Sequence, residues 1–121
     1  MKILILYSSR DGQTKKIAEF MAQHLEGEVV VSPLMEEQDL QVFDRVIIGA
    51  SVRYGHFNKQ VYRFVERHHE LLNAKSAVFF GVGLTARKEG KDTPEGNVYV
   101  RKFLQRIKWT PEKVEIGRAH V

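Results

Sequence analysis

The chain opens with KILILYSSRDGQT at residues 2–14, where an apolar run passes directly into small polar residues. Residues 2–7 are apolar almost throughout and have the length of a buried β-strand. From Thr14 onward, apolar residues recur at helical spacing, with Ile17, Phe20, Met21 and Leu25 on one face. The segment therefore predicts a strand, a short loop and a helix.

The same alternation continues along all 121 residues. Strands are predicted at 2–7, 28–32, 45–49 and 77–83, with a fifth beginning near Val114, and helices at 14–25, 58–72 and 97–108. Apolar strands joined by amphipathic helices are typical of a parallel sheet that is covered on both faces. We therefore expect one α/β domain over residues 1–121, with a doubly wound parallel sheet.

Composition excludes several classes of protein. The chain is 43% hydrophobic and 28% charged, which is a globular balance, and it has no cysteine for disulfides, thiolate metal sites or nucleophiles. No apolar run approaches the roughly 20 residues that span a bilayer. The net charge of +4 suits nucleic acid, anionic lipid or an anionic small molecule, and charge alone does not choose among them.

Doubly wound sheets bind ligands at the carboxyl ends of their strands, which here directs attention to residues 8–14, 50–58 and 84–96. The first of these loops has the features of a phosphate site. A helix N-terminus favours anions, Ser9 and Thr14 supply hydroxyl groups, Gln13 supplies an amide, and Gly12 permits a tight turn. Arg10 adds a positive charge. An ordinary capped turn would also fit these residues.

Three phosphate-handling alternatives fail on the residues. No Gly-Lys-Ser/Thr ends the loop, so a triphosphate-binding motif is absent. Residues 81–86 match G-x-G-x-x-A, but they follow the fourth strand and lead into a loop rather than a helix. A phosphorylated receiver domain needs an aspartate at the end of strand three, where this chain has Gly49-Ala50-Ser51. A monophosphate ligand is left as the hypothesis.

Residues 7–14, YSSRDGQT, resemble the flavin mononucleotide (FMN) phosphate loop of flavodoxins. Residues 47–56, IIGASVRYGH, and 84–88, LTARK, are more specific, and they are similar to the menaquinone-dependent protoporphyrinogen IX dehydrogenase family. Residues 101–104 and 109–111 share that similarity. The resemblance covers the chain from Met1 to about Val114.

This resemblance implies a flavodoxin-like fold with sheet order 2-1-3-4-5 and one bound FMN. It also implies oxidation of protoporphyrinogen IX to protoporphyrin IX in haem biosynthesis, with menaquinone or ubiquinone as the electron acceptor. The expected location is cytoplasmic, peripheral on the inner face of the cell membrane. No nucleic-acid partner and no metal is expected, and the oligomeric state and the catalytic residues are not assigned.

The resemblance also implies the cofactor contacts. The phosphate is expected at Ser9, Arg10, Asp11, Gly12, Gln13 and Thr14, and the isoalloxazine at Ser51, Val52, Arg53, Tyr54, Gly55, Leu84, Thr85, Ala86 and Arg87. Asp11 departs from the hydroxyl residue usual in flavodoxins, so we expect its backbone to face the phosphate. Tyr54 is the candidate for stacking on the flavin. Arg53, Arg87, Lys88 and Lys91 are candidates for contacts to the substrate's propionates or to anionic lipid.

The family continues past Val114 with a basic, aromatic segment that this sequence does not show. We therefore expect a truncated chain whose fifth strand and last helix are incomplete, with 115–121 as a candidate non-native tail. Two other functions stay open, a flavodoxin-type electron carrier and an NAD(P)H:quinone reductase. The net charge of +4 disfavours the carrier, since flavodoxins are typically acidic.

Overall fold

A computed structural model describes residues 1–8, 12–34, 38–53, 56–57, 59–83 and 98–118. The strands are β1 (Lys2–Ser8), β2 (Glu28–Pro33), β3 (Arg45–Arg53), β4 (His56–Phe57), β5 (Ser76–Gly83) and β6 (Lys113–Arg118). The helices are α1 (Gln13–His24), α2 (Lys59–Ala74) and α3 (Val98–Arg106), with one 3-10 turn at Leu40–Val42. The predicted alternation of strand and helix is confirmed for these residues.

The long strands form a parallel sheet in the order β2-β1-β3-β5-β6. Counting only these five strands, the order is 2-1-3-4-5, as the resemblance implied. The chain runs from β1 outward to β2 and then returns to the other side of β1 for β3, so the strand order reverses between β1 and β3. A doubly wound sheet binds ligands at such a reversal.

Each face of the sheet has its own apolar core, because successive strand residues point to opposite faces. In β1, Leu4 and Leu6 belong to the core that α2 and α3 cover, while Ile3 and Ile5 belong to the core that α1 covers. The first core is aromatic at its centre, where Phe79 stacks on Phe103 with the ring centroids 4.6 Å apart. Both faces are therefore covered, as the apolar strands predicted.

The first helix packs against the sheet with Ile17, Met21 and Leu25 of its predicted apolar face, and Phe20 is the exception. Phe20, assigned to its apolar face, is 62% exposed, whereas Ala18 is fully buried against the sheet. Side chains two positions apart on a helix point about 200° apart around its axis. A helix that buries Ala18 therefore turns Phe20 toward solvent. The exposed ring lies against His24 at 4.4 Å between centroids.

Three strand predictions also need correction. β3 continues four residues beyond Gly49 to Arg53, and its end pairs antiparallel with the short β4, which the sequence did not predict. The fifth strand, expected to be incomplete, extends over Lys113–Arg118, and as β6 it pairs with β5 from Val78↔Lys113 to Gly83↔Arg118. Residues 115–118 of the candidate tail thus lie in the sheet. None of the described helices is long and apolar enough to span a membrane.

Candidate cofactor site

The three segments predicted to bind the cofactor start at adjacent positions on one edge of the sheet. Ser8 at the end of β1 is the register partner of Ala50 in β3, and Ala50 is the partner of Gly81 in β5. The three strands are parallel, so their carboxyl ends lie at the same edge of the sheet. The loops that follow β1, β3 and β5 therefore leave from one edge, next to the reversal of strand order.

Helix α1 begins with its N-terminus at this edge. Gly12 precedes the helix in a left-handed conformation, with φ 85° and ψ −3°, which glycine adopts without steric penalty. No side chain in the described part of the chain caps the helix, and its first turn contains no acidic residue. A Cβ at Gly12 would meet no atom of the described residues within 4 Å. The helix dipole makes such a terminus favourable for an anion.

Thr14 places a hydroxyl group in the same first turn. Its side chain is fully buried, and its Oγ1 has no hydrogen-bond partner among the described residues. An unpaired buried hydroxyl costs about 1–3 kcal/mol, so such groups are normally satisfied by protein, water or ligand. A phosphate oxygen beside the helix terminus would accept its hydrogen bond. The observed residues therefore fit the phosphate of FMN.

The end of β3 positions the second predicted segment. Ser51 is partly buried and pairs with Val82 of β5, while Val52 and Arg53 pair with Phe57 and His56 of β4. These pairs fix the backbone of residues 51–53 on both sides. The sequence missed β4, because a strand of two residues has no detectable periodicity; the aromatic Phe57, fully buried in the core, was its only signal.

Several predicted site residues cannot be placed. Ser9, Arg10, Asp11, Tyr54, Gly55, Leu84, Thr85, Ala86 and Arg87 lie outside the described residues, as do Lys88 and Lys91. Gln13 begins α1, but its side chain is likewise outside the description. Their cofactor and substrate contacts stay predictions. No group of three or more His, Cys, Asp or Glu residues suited to a metal occurs within the described part of the chain.

Comparison with known proteins agrees with this geometry. A family model described as a flavodoxin domain matches residues 4–120. Protoporphyrinogen IX dehydrogenase (quinone) of Escherichia coli K12 is 42% identical over 121 residues, covering 96% of this chain and 67% of that protein. A Leishmania major protein of the same name is 41% identical over 121 residues, covering 95% of this chain and 52% of that protein.

Among solved structures, a flavoprotein in complex with FMN from Lactobacillus acidophilus NCFM superposes with a TM-score of 0.72. The two chains are 17% identical, and the superposition covers 95% of this chain and 92% of the other. At that identity the likeness establishes the fold alone.

The sheet order and the helix terminus define a flavodoxin-like α/β protein. The chain belongs to the flavodoxin domain family and, within it, to the protoporphyrinogen IX dehydrogenases (quinone). The family recognised from the sequence motifs is thereby confirmed. The match also extends past Val114, where the motif resemblance had been expected to end.

Proposed function

We propose that this chain oxidises protoporphyrinogen IX to protoporphyrin IX with FMN as cofactor and a quinone as electron acceptor, in haem biosynthesis. The observation that carries the proposal is the 42% identity, over 96% of the chain, to a protein named for that reaction. The buried hydroxyl of Thr14 and the N-terminus of α1 support the cofactor assignment.

In this proposal the phosphate of FMN is held by residues 9–14 and the isoalloxazine by residues 51–55 and 84–87. The hydroxyl of Thr14 donates a hydrogen bond to a phosphate oxygen, and the N–H groups of the first turn of α1 face the same phosphate. The backbone pairs of residues 51–53 with β4 and β5 hold the second segment in place before the cofactor binds. Such preorganisation lowers the entropic cost of binding.

The overall reaction removes six hydrogen atoms from the tetrapyrrole. Protoporphyrinogen IX loses six electrons and six protons. Three quinone molecules each take up two electrons and two protons and become quinols. When bound, FMN supplies the two-electron chemistry that connects donor and acceptor. The chain's own residues bind and orient the cofactor and the substrate.

The acceptor and location follow from the same proposal. Menaquinone and ubiquinone dissolve in the membrane, so the chain would act at the inner face of the cell membrane as a peripheral protein on the cytoplasmic side. The net charge of +4 supports this arrangement, because a basic surface is attracted to anionic lipid.

The test is an anaerobic assay with purified, FMN-loaded protein, protoporphyrinogen IX and a soluble menaquinone analogue. We expect porphyrin fluorescence to rise well above the rate without protein, and to require both FMN and the quinone. Porphyrin formation no faster than in the protein-free control would contradict the proposal. Quinone reduction driven by NADPH would instead identify an NAD(P)H:quinone reductase, and electron transfer only to a protein partner would identify a flavodoxin-type carrier.

A further inference from the structure

A groove of about 680 Å³ lies between α2 and α3, on the sheet face opposite α1. Four cationic side chains line it, Lys59 and Arg63 from α2 and Arg106 and Lys108 from the end of α3 and the residues after it. Glu66 is the one carboxylate among the described residues of the lining. Four cations against one carboxylate leave a strong positive excess, which favours an anionic ligand.

The groove also has an apolar and aromatic wall. Tyr62, Ile107 and the ring of Phe57 line it, and the guanidinium of Arg106 lies over the ring of Tyr62, 4.4 Å from its centroid. Burial raises the pKa of the Tyr62 hydroxyl and the charge of Arg106 lowers it in part, so the phenol stays neutral at physiological pH. The contact with the Tyr62 ring places the guanidinium of Arg106 at the groove wall.

The groove is connected to the cofactor edge by the chain itself. Phe57 pairs with Val52, which belongs to the predicted flavin segment, and Lys59 begins α2 two residues later. From Lys59 the lining residues continue along α2 to Glu66, a rise of about 10 Å. A ligand in this groove would therefore reach from the cofactor edge down the side of the domain.

We propose that this groove binds the propionate side of protoporphyrinogen IX, with Arg63 and Arg106 each holding a carboxylate. Arginine binds carboxylates bidentately, and Lys59 and Lys108 add positive charge at the two ends. Tyr62 and Ile107 contact the apolar body of the tetrapyrrole. This assignment rests on the proposed function and adds substrate contacts to those predicted from the sequence at Arg53, Arg87, Lys88 and Lys91.

The shape of the groove favours a small molecule over a lipid surface. Its volume lies within the range of small-molecule sites, about 300–1,000 Å³, and its charged side chains stand around a wall formed by Tyr62 and Ile107. A flat membrane would contact the lysine and arginine tips but would not fill the concavity. A bound tetrapyrrole with two carboxylates uses both the charge and the wall.

The test compares Arg63→Gln and Arg106→Gln with Arg67→Gln and Lys102→Gln. The two controls remove the same charge from exposed positions on the same helices, outside the groove. We expect each groove variant to raise KM for protoporphyrinogen IX by about tenfold or more, while kcat and the KM for the quinone stay unchanged. Both control variants should keep the kcat and the two KM values of the unaltered protein.

A binding measurement makes the test independent of turnover. Protoporphyrin IX is titrated into FMN-loaded protein and its binding is followed by fluorescence. The groove variants should raise its Kd by about the same factor as they raise KM. Its dimethyl ester lacks the two carboxylates, so it should bind the unaltered protein and the groove variants equally weakly. The fluorescence of Trp109, buried in the core, verifies that each variant is folded.

Three results would overturn the assignment. The first is an unchanged Kd for protoporphyrin IX in both groove variants. The second is an equal loss of affinity for the dimethyl ester, which would indicate a structural effect. The third is loss of binding to vesicles rich in phosphatidylglycerol with the porphyrin Kd unchanged, which would identify a lipid-docking surface. If porphyrin binds through the groove but no oxidation occurs, the proposed function fails while the groove assignment stands.

Discussion

Phe80 of β5 fills the space beside Gly49 of β3, so that its ring occupies the position a Cβ at residue 49 would need. The two residues are register partners in the parallel sheet. They lie next to Ala50 and Ser51, at the edge where the cofactor loops leave. Glycine at residue 49 thus lets an aromatic side chain close the sheet face immediately below the site.

Replacing Gly49 with alanine should destabilise the protein, because the new methyl group collides with the buried ring of Phe80. Overpacking of this kind costs about 1–3 kcal/mol. The measurement is the free energy of unfolding in urea, followed by the fluorescence of Trp109. A double variant, Gly49→Ala with Phe80→Leu, should cost less than the sum of the two single variants, and strictly additive costs would show that the two side chains do not compete for this space.

Thr14→Val should change cofactor affinity and apoprotein stability in opposite directions. Valine has nearly the shape of threonine but removes a buried hydroxyl that has no hydrogen-bond partner among the described residues, so the apoprotein should gain up to about 1–3 kcal/mol. FMN should bind about 10- to 100-fold more weakly, because a hydrogen bond to the charged phosphate is lost. Calorimetric titration of FMN and urea unfolding of the apoprotein measure the two effects.

Riboflavin and serine provide the controls for Thr14. Riboflavin lacks the phosphate, so Thr14→Val should leave its affinity unchanged, and Thr14→Ser should retain most of the affinity for FMN. If the valine variant weakened riboflavin and FMN equally, the hydroxyl would not be a phosphate ligand. If the apoprotein lost stability, the hydroxyl would have a partner after all.

The folded protein should hold His68 in its neutral form at lower pH than an ordinary histidine. Partial burial lowers its pKa from 6.5, and the positive charge of Arg67 lowers it further. The unfolded chain then binds more protons than the folded one below about pH 6.5, so stability falls as the pH drops through that value toward the folded pKa. A proton NMR titration of the His68 ring should give a value below 6.5.

Arg67→Gln tests whether burial lowers the pKa of His68 more than the charge of Arg67 does. Removing the guanidinium should raise the pKa of His68 but leave it below 6.5, because burial is the larger cause. The ring of Phe64, 4.6 Å from that of His68 between centroids, supplies part of that burial. A His68 pKa above 6.5 in the unaltered protein would reverse the predicted dependence of stability on pH.

Periodicity was sufficient for the long elements of the fold. Continuous apolar runs such as residues 2–7 and 77–83 predicted central strands, because a strand buried on both faces needs apolar residues throughout. The predictions were wrong where tertiary contacts decide which side chains are buried and which short strands form. The exposure of Phe20 depends on which stripe of α1 meets the sheet, and β4 exists because Phe57 packs under Phe79 and Phe103.

Part of the candidate site could likewise be predicted from the sequence, and part of it is visible only in the structure. Residue types alone indicated that the Thr14 hydroxyl could donate a hydrogen bond to a phosphate. Its complete burial, with no hydrogen-bond partner in the part of the chain that the structure describes, is visible only in three dimensions. The groove was beyond sequence reasoning, because Arg63 and Arg106 come from different helices and are ordinary surface charges in the sequence. The spacing of Lys59 and Arg63, one helical turn apart, was the only signal.

The most direct test of the central claim is anaerobic mixing of FMN-loaded protein with protoporphyrinogen IX before any quinone is added. We predict that the absorbance of oxidised flavin falls as porphyrin fluorescence appears, and that a menaquinone analogue then restores the absorbance. One porphyrin should form for every three flavins reduced. Flavin absorbance that is unaffected by protoporphyrinogen IX but is lost on adding NADPH would contradict the proposed reaction.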